Sequence, residues 1–403
     1  INILKPNGHF GTRLQGGDDS ASPRYIFTQL ENISFAMFSK LDDAVLTYLD
    51  DDGDQIEPEW YIPVVPAILV NGAAGIGTGF STNVPCFNPT DIVGRLREMI
   101  ADKTDGKPPA LRTELVPWYH GYKGTISKDE KGVYISRGVY NRVSDVKVEI
   151  TELPIGTWTV DFKQMLESIL DSDQKLLKDY ENHYTERDVR FVLHLYPGAS
   201  DALFALDKNG YTVFENMFKL HSSKGLSMSN MHLYDEAGRI RLYNSVDDIM
   251  TGFFDIRWTM YGKRREAMLQ ALRQDLVICS AKVRFITELI EETIRVFNVK
   301  RDDVIATLTE RGYPKKDDGY DYLTRMPISS LTRERKDELL AEEAEQRKTL
   351  TELENTSVAD MWNRDLDAFD KEYTKFVEAR RKAAEEDTDS ATTKGKRKTP
   401  AKK

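Results

Sequence analysis

Apolar residues between positions 246 and 376 fall on two heptad stripes, and no other feature restricts the fold as much. Leu272, Leu276, Cys279, Val283, Ile286, Ile290 and Phe297 follow steps of four and three with one step of seven. Trp362, Leu366, Phe369, Tyr373 and Phe376 repeat the pattern. That period keeps one face of a helix against a partner helix. A helix from about 247 to 297 would be roughly 75 Å long at about 1.5 Å per residue. The segment between the two stripes, with Gly312, Pro314, Gly319 and Pro327, must break the helix. The expectation is two long segments folding back on one another, with a small globular tip between them.

The remainder reads differently. Residues 1–40 pair a Gly-rich loop from Gly8 with an amphipathic run from Arg24, in which Tyr25, Leu30, Ile33 and Met37 recur near helical spacing. Residues 41–61 carry eight acids and no base. From Pro63 to Gly79 the chain is apolar and glycine-rich with no strong period. From about 120 to 245 strands dominate. Val146, Val148 and Ile150 alternate with polar residues, as do Val189, Phe191, Leu193 and Leu195. Asn209-Gly210 and Ala237-Gly238 suit turns. From Glu385 apolar residues vanish, and the last ten residues hold six bases and no acid. That composition predicts a disordered basic tail.

With 56 bases against 66 acids over 403 residues, the net charge is −10, an unpromising average for a partner of nucleic acid. The mean hides its parts. Residues 41–61 contribute −8, the stretch from Lys394 contributes +6, and Ile1 to Tyr25 has a local +1. Two distant cysteines, Cys86 and Cys279, exclude a disulfide scaffold and fit a reducing compartment. The longest apolar stretch, Tyr61 to Val70, has ten residues and two prolines, too short to span a bilayer. No basic-then-apolar leader opens the chain, which begins with Ile1 and so reads as a fragment or a processed piece.

Each chemical motif has a plain alternative. The acids at 50–54 could hold a divalent cation or form a solvated hairpin turn around Gly53. Asn71 to Gly79 (NGAAGIGTG) could cradle phosphate, though it matches neither a Walker loop nor GxGxxG. Its glycines equally allow close backbone approach to another surface, exposing Ile76. The six histidines show no i,i+4 pair and no neighbouring cysteine. Tyr25 follows Arg24 after a flexible polar loop. Phenols, with reference pKa about 10, are poor nucleophiles unless a cation or a base favours deprotonation. An arginine there could grip a phosphodiester with both arms of its fork. A tyrosine beside an arginine can also be a packed helix residue.

GHFGTRLQGGDDSASPRYIFTQL, from Gly8 to Leu30, closely resembles the active-tyrosine segment of the eukaryotic-type (type IIA) DNA topoisomerase II family. The resemblance continues in order through Glu57 to Pro85, Ile150 to Thr159, Phe218 to Leu220, Met260 to Leu269, Asp321 to Leu339 and Ser357 to Phe369. It implies that Tyr25 attacks a DNA phosphodiester to leave a 5′-phosphotyrosyl link, with Arg24 stabilising the transition state. It further implies that Ile76 wedges between bases and that Trp158, Lys219 and Arg13 contact double-stranded DNA. The implied fold is α+β and multidomain: a partial winged-helix segment at 1–40, a mixed α/β tower at 41–245, a long antiparallel coiled coil with a small helical exit gate at 246–376, and a charged disordered tail at 377–403. A homodimer would supply two tyrosines and pass one duplex through another, with Mg²⁺ and ATP as cofactors of the complete enzyme and no membrane involved.

Two departures accompany the resemblance. Asp18 stands where the family commonly has a base, and His221 to Gly225 differ from the usual Gln-Thr-Ser. The family's ATPase and its metal-binding Glu-Gly-Asp-Ser and Asp-x-Asp-x-Asp motifs are absent from the sequence. The chain is therefore expected to carry the nucleophile without its metal site or motor. The basic run from Lys394 suggests a nuclear address. Two other readings are a non-catalytic dimer that clamps DNA with Tyr25 packed, and a nucleotide-binding enzyme using the Gly72–Gly79 loop.

Overall fold

A computed structural model describes residues 1–108, 112–172, 176–198, 200–327 and 332–394. In chain order the strands are β1 (Tyr48–Asp51), β2 (Asp54–Pro58), β3 (Ala73–Gly77), β4 (Phe80–Val84), β5 (Thr125–Lys128), β6 (Tyr134–Arg137), β7 (Val139–Ser144), β8 (Lys147–Glu152), β9 (Leu177–Asn182), β10 (Phe191–Leu195), β11 (His221–Ser222), β12 (Met231–Tyr234) and β13 (Ile240–Tyr243). The helices are α1 (Asn32–Met37), α2 (Ala67–Asn71), α3 (Pro89–Thr104), α4 (Thr159–Leu170), α5 (Ser200–Leu203), α6 (Val213–Met217), α7 (Val246–Ile290), α8 (Arg301–Glu310), α9 (Asp321–Thr324), α10 (Arg333–Asn355) and α11 (Val358–Lys394). The chain forms two compact units: residues 1–39, 62–256 and 365–403 make the first, and residues 40–61 and 257–364 the second.

The first unit is built on an antiparallel sheet of order β7-β8-β10-β9. Its alternation follows the sequence pattern from Val148 onward, whereas Val146 precedes β8 and is exposed. Val148 and Ile150 of β8 face Phe191 and Leu193 of β10 in a core closed by Phe162 and Leu166 of α4 and by Phe214 and Phe218. A second sheet, β11-β6-β5, and the hairpins β3–β4 and β12–β13 complete the strand content of this unit among the described residues. Gly238, with φ 71°, lies in the β12–β13 turn, where the backbone N–H of Asp235 donates to Arg239 O at 2.9 Å. The apolar run at Pro63–Gly79 divides into α2 and β3.

In the second unit the acidic residues form the hairpin β1–β2. Asp52 and Gly53 both have positive φ, 52° and 93°, as a type I′ turn requires. The backbone N–H of Gly53 donates to Asp50 Oδ1 at 3.0 Å. Upstream, the buried Asp42 carboxylate lies 2.9 Å from Arg257 and 3.8 Å from Arg264. The Arg257 guanidinium stacks 4.1 Å from the Tyr261 ring centroid. Removing one partner from such a buried group leaves an uncompensated charge, at a cost of about 3–5 kcal/mol.

The heptad stripe of α7 meets a partner the sequence concealed. Cys279, Val283 and Ile286 pack with Leu339 of α10. Ser280 Oγ donates to Glu343 at 2.6 Å, and Arg265 caps the far end of α10 by donating to the carbonyls of Glu354 and Thr356. Rising positions on α7 meet falling positions on α10, so the two run antiparallel. The second stripe, from Trp362, belongs to α11, and within the second unit Trp362 lies 5.4 Å from the Tyr261 ring. Between α7 and α10, α8 and α9 bury Val304, Leu308, Tyr320 and Leu323 as a small core with Phe285 and Tyr313.

Several expectations are corrected. The amphipathic run from Arg24 is not one helix. Pro23–Tyr25 is a single 3₁₀ turn, and α1 begins at Asn32, so Ile33 and Met37 are buried while Tyr25 and Leu30 are exposed. Phe297 lies beyond the end of α7 and is exposed. Disorder from 377 is replaced by helix as far as Lys394. Ala-, Glu- and Arg-rich sequence favours helix even without an apolar stripe, and Arg381 pairs with Glu385 one turn on, at 3.0 Å. The basic run beyond Lys394, and Ile328 to Leu331 of the Asp321–Leu339 motif, lie outside the described residues. Among the described residues no helix is long and apolar enough to cross a membrane.

Candidate active site

Residues 7–27 form a loop closed at its base within the first unit. An isolated bridge joins Asn7 to Phe27 at its base, and Ala21 N donates to His9 O at 2.9 Å just above. Asp19 clasps Thr12 through its backbone N–H at 2.8 Å and its hydroxyl at 2.5 Å. These bonds to the ionised carboxylate, the hydroxyl foremost, hold Asp19 below the usual carboxylate range.

The tip of the loop is driven into the body. Arg13 forms a two-armed ion pair with Glu152 at the end of β8, one arm at 3.3 Å. Leu14 O accepts from Val160 N at 3.0 Å. Gly16, at φ 65°, lies so close over the Trp158 indole that a Cβ there would collide with the ring. Glu152 is completely buried and accepts two further bonds, from the backbone N–H groups of Lys123 at 3.1 Å and Leu153 at 2.9 Å. Burial, and then the nearby Glu152 charge, pushes the Tyr122 phenol up to about 12.

Tyr25 stands where the loop returns to its base. Pro23 presets the 3₁₀ turn, and Tyr25 N donates to Ser22 O at 2.9 Å. The side chain is 68% exposed, and the Arg24 guanidinium lies 5.1 Å from its ring centroid. A phenol presented to solvent beside a guanidinium suits attack on an anionic ester, because the arginine fork can grip the phosphate oxygens as the phenol approaches phosphorus.

Ile76 is 86% exposed, on β3 of a hairpin whose two-residue turn, Thr78-Gly79, has φ 54° and 79°. Open space surrounds Gly75, Gly77 and Gly79, which leaves the backbone beside Ile76 accessible to a large partner. The hairpin is braced by the start of β12. Asn83 N donates to Asn230 O at 2.8 Å, Asn230 Nδ2 to Ser81 Oγ at 2.8 Å, and the Phe80 ring lies 5.2 Å from His232. Lys219 is exposed between buried Phe218 and Leu220, its left-handed φ of 49° marking the turn from α6 into β11.

The structure thus joins Arg13 and Trp158 to the Tyr25 loop, while Ile76 and Lys219 stand on separate elements of the same unit. Resemblance assigns Arg13 to DNA, whereas its fork is occupied by Glu152. Glu152, Asn230 and His232 escape the sequence reading. For Glu152 a signal exists: it falls on the buried phase of β8 after Val148 and Ile150, where an acid needs a partner. The residues do not fit a magnesium site: among the described residues no group of three or more His, Cys, Asp or Glu could hold a metal ion. Nor does the Gly72–Gly79 hairpin resemble a phosphate cradle, since it opens no helix of eight or more residues and carries no base.

The family model for the A subunit of DNA gyrase/topoisomerase IV matches residues 1–367. DNA topoisomerase 2 of Arabidopsis thaliana is 36% identical, covering 93% of this chain and 27% of its own. DNA topoisomerase 2-alpha of Rattus norvegicus is 35% identical, covering 96% and 27%. The crystal structure of the Plasmodium falciparum topoisomerase II DNA-binding, cleavage and re-ligation domain superposes with a TM-score of 0.80 at 33% identity, covering 95% of this chain and 54% of that one. The chain therefore spans about a quarter of the length of these curated relatives.

Proposed function

The chain belongs to the family of DNA gyrase/topoisomerase IV A subunits, and from that premise we propose that it carries the strand-cleaving tyrosine of a eukaryotic-type DNA topoisomerase II. The observation that carries this reading is Tyr25, exposed on its 3₁₀ turn beneath the Arg24 guanidinium. In cleavage the Tyr25 oxygen bonds to phosphorus as its proton departs. The bond from phosphorus to the 3′-oxygen breaks, and that oxygen leaves as a hydroxyl after taking up a proton. One phosphoester replaces another, so religation runs by the reverse attack without an external energy source. Arg24 grips the non-bridging oxygens as charge gathers on them.

Ile76 is the apolar wedge that enters the duplex and bends it, with the open backbone of Gly75 and Gly77 allowing close approach. Lys219 supplies a point charge to phosphate, and Trp158, which its motif assigns to DNA, lies under Gly16 of the Tyr25 loop. The complete enzyme is a nuclear homodimer that passes one duplex through another during chromosome segregation. It depends on ATP and Mg²⁺ held outside this chain. On this reading residues 1–40 complete a winged helix and 41–245 form the tower. Residues 246–376 are the coiled coil and exit gate, and 377–403 the tail; the antiparallel α7–α10 pair with its helical tip supports the third of these. The rival of a non-catalytic clamp requires a packed Tyr25, and the exposure of that side chain speaks against it.

The test is Tyr25→Phe in the full-length enzyme. Incubated with supercoiled plasmid, Mg²⁺ and ATP, then denatured, the parent should yield protein-linked linear DNA and the variant none. Adducts persisting in the variant would place the nucleophile elsewhere.

A further inference from the structure

Glu152 is a carboxylate without solvent contact, placed where an alternating strand should put an apolar side chain. Burying a charge is expensive unless it is paired and hydrogen-bonded. Here the compensation is specific. Two backbone N–H groups, of Lys123 and Leu153, approach from the body, and the Arg13 fork closes the remaining side from the loop. Arg13 is 139 positions away in sequence, so the pair staples a loop tip to a sheet rather than stabilising either locally.

The loop transmits that hold to its base. Gly17 N donates to Thr12 O at 3.0 Å, and the Thr12–Asp19 clasp ties the arm leading into Arg13 to the arm leading out to Tyr25. The Asn7–Phe27 bridge closes the circuit two residues beyond Tyr25. Three attachments at the tip, to Glu152, to Val160 N and to the Trp158 indole, therefore fix the level at which the tyrosine stands.

We infer that Glu152 is a positioning residue for strand cleavage, acting through Arg13, and that Arg13 serves the loop rather than a DNA phosphate. This deepens the topoisomerase reading and rests on it. Misplacing a nucleophile by an ångström costs on the order of a hundredfold in rate, whereas removing one phosphate contact weakens DNA binding and lowers the salt slope by about one. The two roles for Arg13 therefore separate.

The experiment uses the full-length enzyme and a nicked duplex that traps the covalent adduct. Glu152→Gln, Arg13→Gln and the double variant are compared at saturating DNA. Each single variant should slow adduct formation about tenfold or more, with the double variant no slower than the worse single. DNA affinity and its salt dependence should stay within about twofold of the parent. The inference is overturned if Glu152→Gln leaves the adduct rate unchanged, if the losses add, or if Arg13→Gln weakens DNA binding with a reduced salt slope. Should thermal melting show Glu152→Gln to be unfolded, Arg13→Lys, which keeps the charge and loses the fork, is judged by the same rate and affinity criteria. A parent enzyme that forms no adduct would instead defeat the topoisomerase reading itself.

Discussion

The Tyr25 loop and the Ile76 hairpin each thrust one side chain into solvent, and they are held in opposite ways. The hairpin is self-supporting: five registered pairs, from Ala73–Val84 to Gly77–Phe80, fix its strands, with β12 bracing one flank. The loop makes no ladder of its own. Its shape comes from an ion pair and a glycine pressed against an indole, both between groups that only tertiary folding brings together, and from a carboxylate clasp across its own two arms. A backbone ladder tolerates changes of side chain. A loop held by side chains transmits every change to the residue it presents.

The contrast can be broken at Gly16. Alanine there meets the Trp158 ring and must also hold a left-handed φ, so Gly16→Ala should cost about 1–3 kcal/mol in urea unfolding. A loss below about 0.5 kcal/mol would mean that the indole contact does not fasten the loop.

Acid sharpens the contrast next. The pKa of Asp19 is depressed in the folded state, so its contribution is present above the unfolded value and fades as pH falls through the folded one. A carboxyl titration by NMR should place the Asp19 midpoint below the ordinary 3.8. Acid should release the Thr12 clasp while leaving the hairpin intact, since residues 73–84 contain no acid. A midpoint at or above 3.8 would remove the clasp from the account.

The smallest effect is expected from Ile76→Ala. With the side chain 86% exposed, thermal stability should stay within about 0.5 kcal/mol. The bend that the full-length enzyme imposes on a dye-labelled duplex should nevertheless shrink. A large stability loss would make Ile76 a packing residue.

These regions also differ in how plainly they can be read. Tyr25 beside Arg24, and Ile76 among glycines, are visible because local sequence carries the signal: a polar loop before the tyrosine, Thr-Gly at the turn after the isoleucine. β8 and β10 are visible because alternation records burial. What stays hidden depends on distant partners. Arg13 reads as a free base until Glu152 is found across 139 positions. The return helix α10 escapes notice because charged residues dominate it, and among its described residues the one buried apolar side chain is Leu339. The more conspicuous stripe of α11, beginning at Trp362, therefore draws the expected pairing instead.

The turn at Thr78-Gly79 gives the hairpin a reading frame. Side chains along a strand alternate between faces, and a two-residue turn leaves no slack to absorb a slip. Ile76 lies opposite Ser81, so gaining or losing one residue between them would carry the isoleucine to the reverse face with every neighbour unchanged in kind. At this point of the chain information is stored as a count, and the direction of the wedge is set by spacing as firmly as its chemistry is set by the side chain.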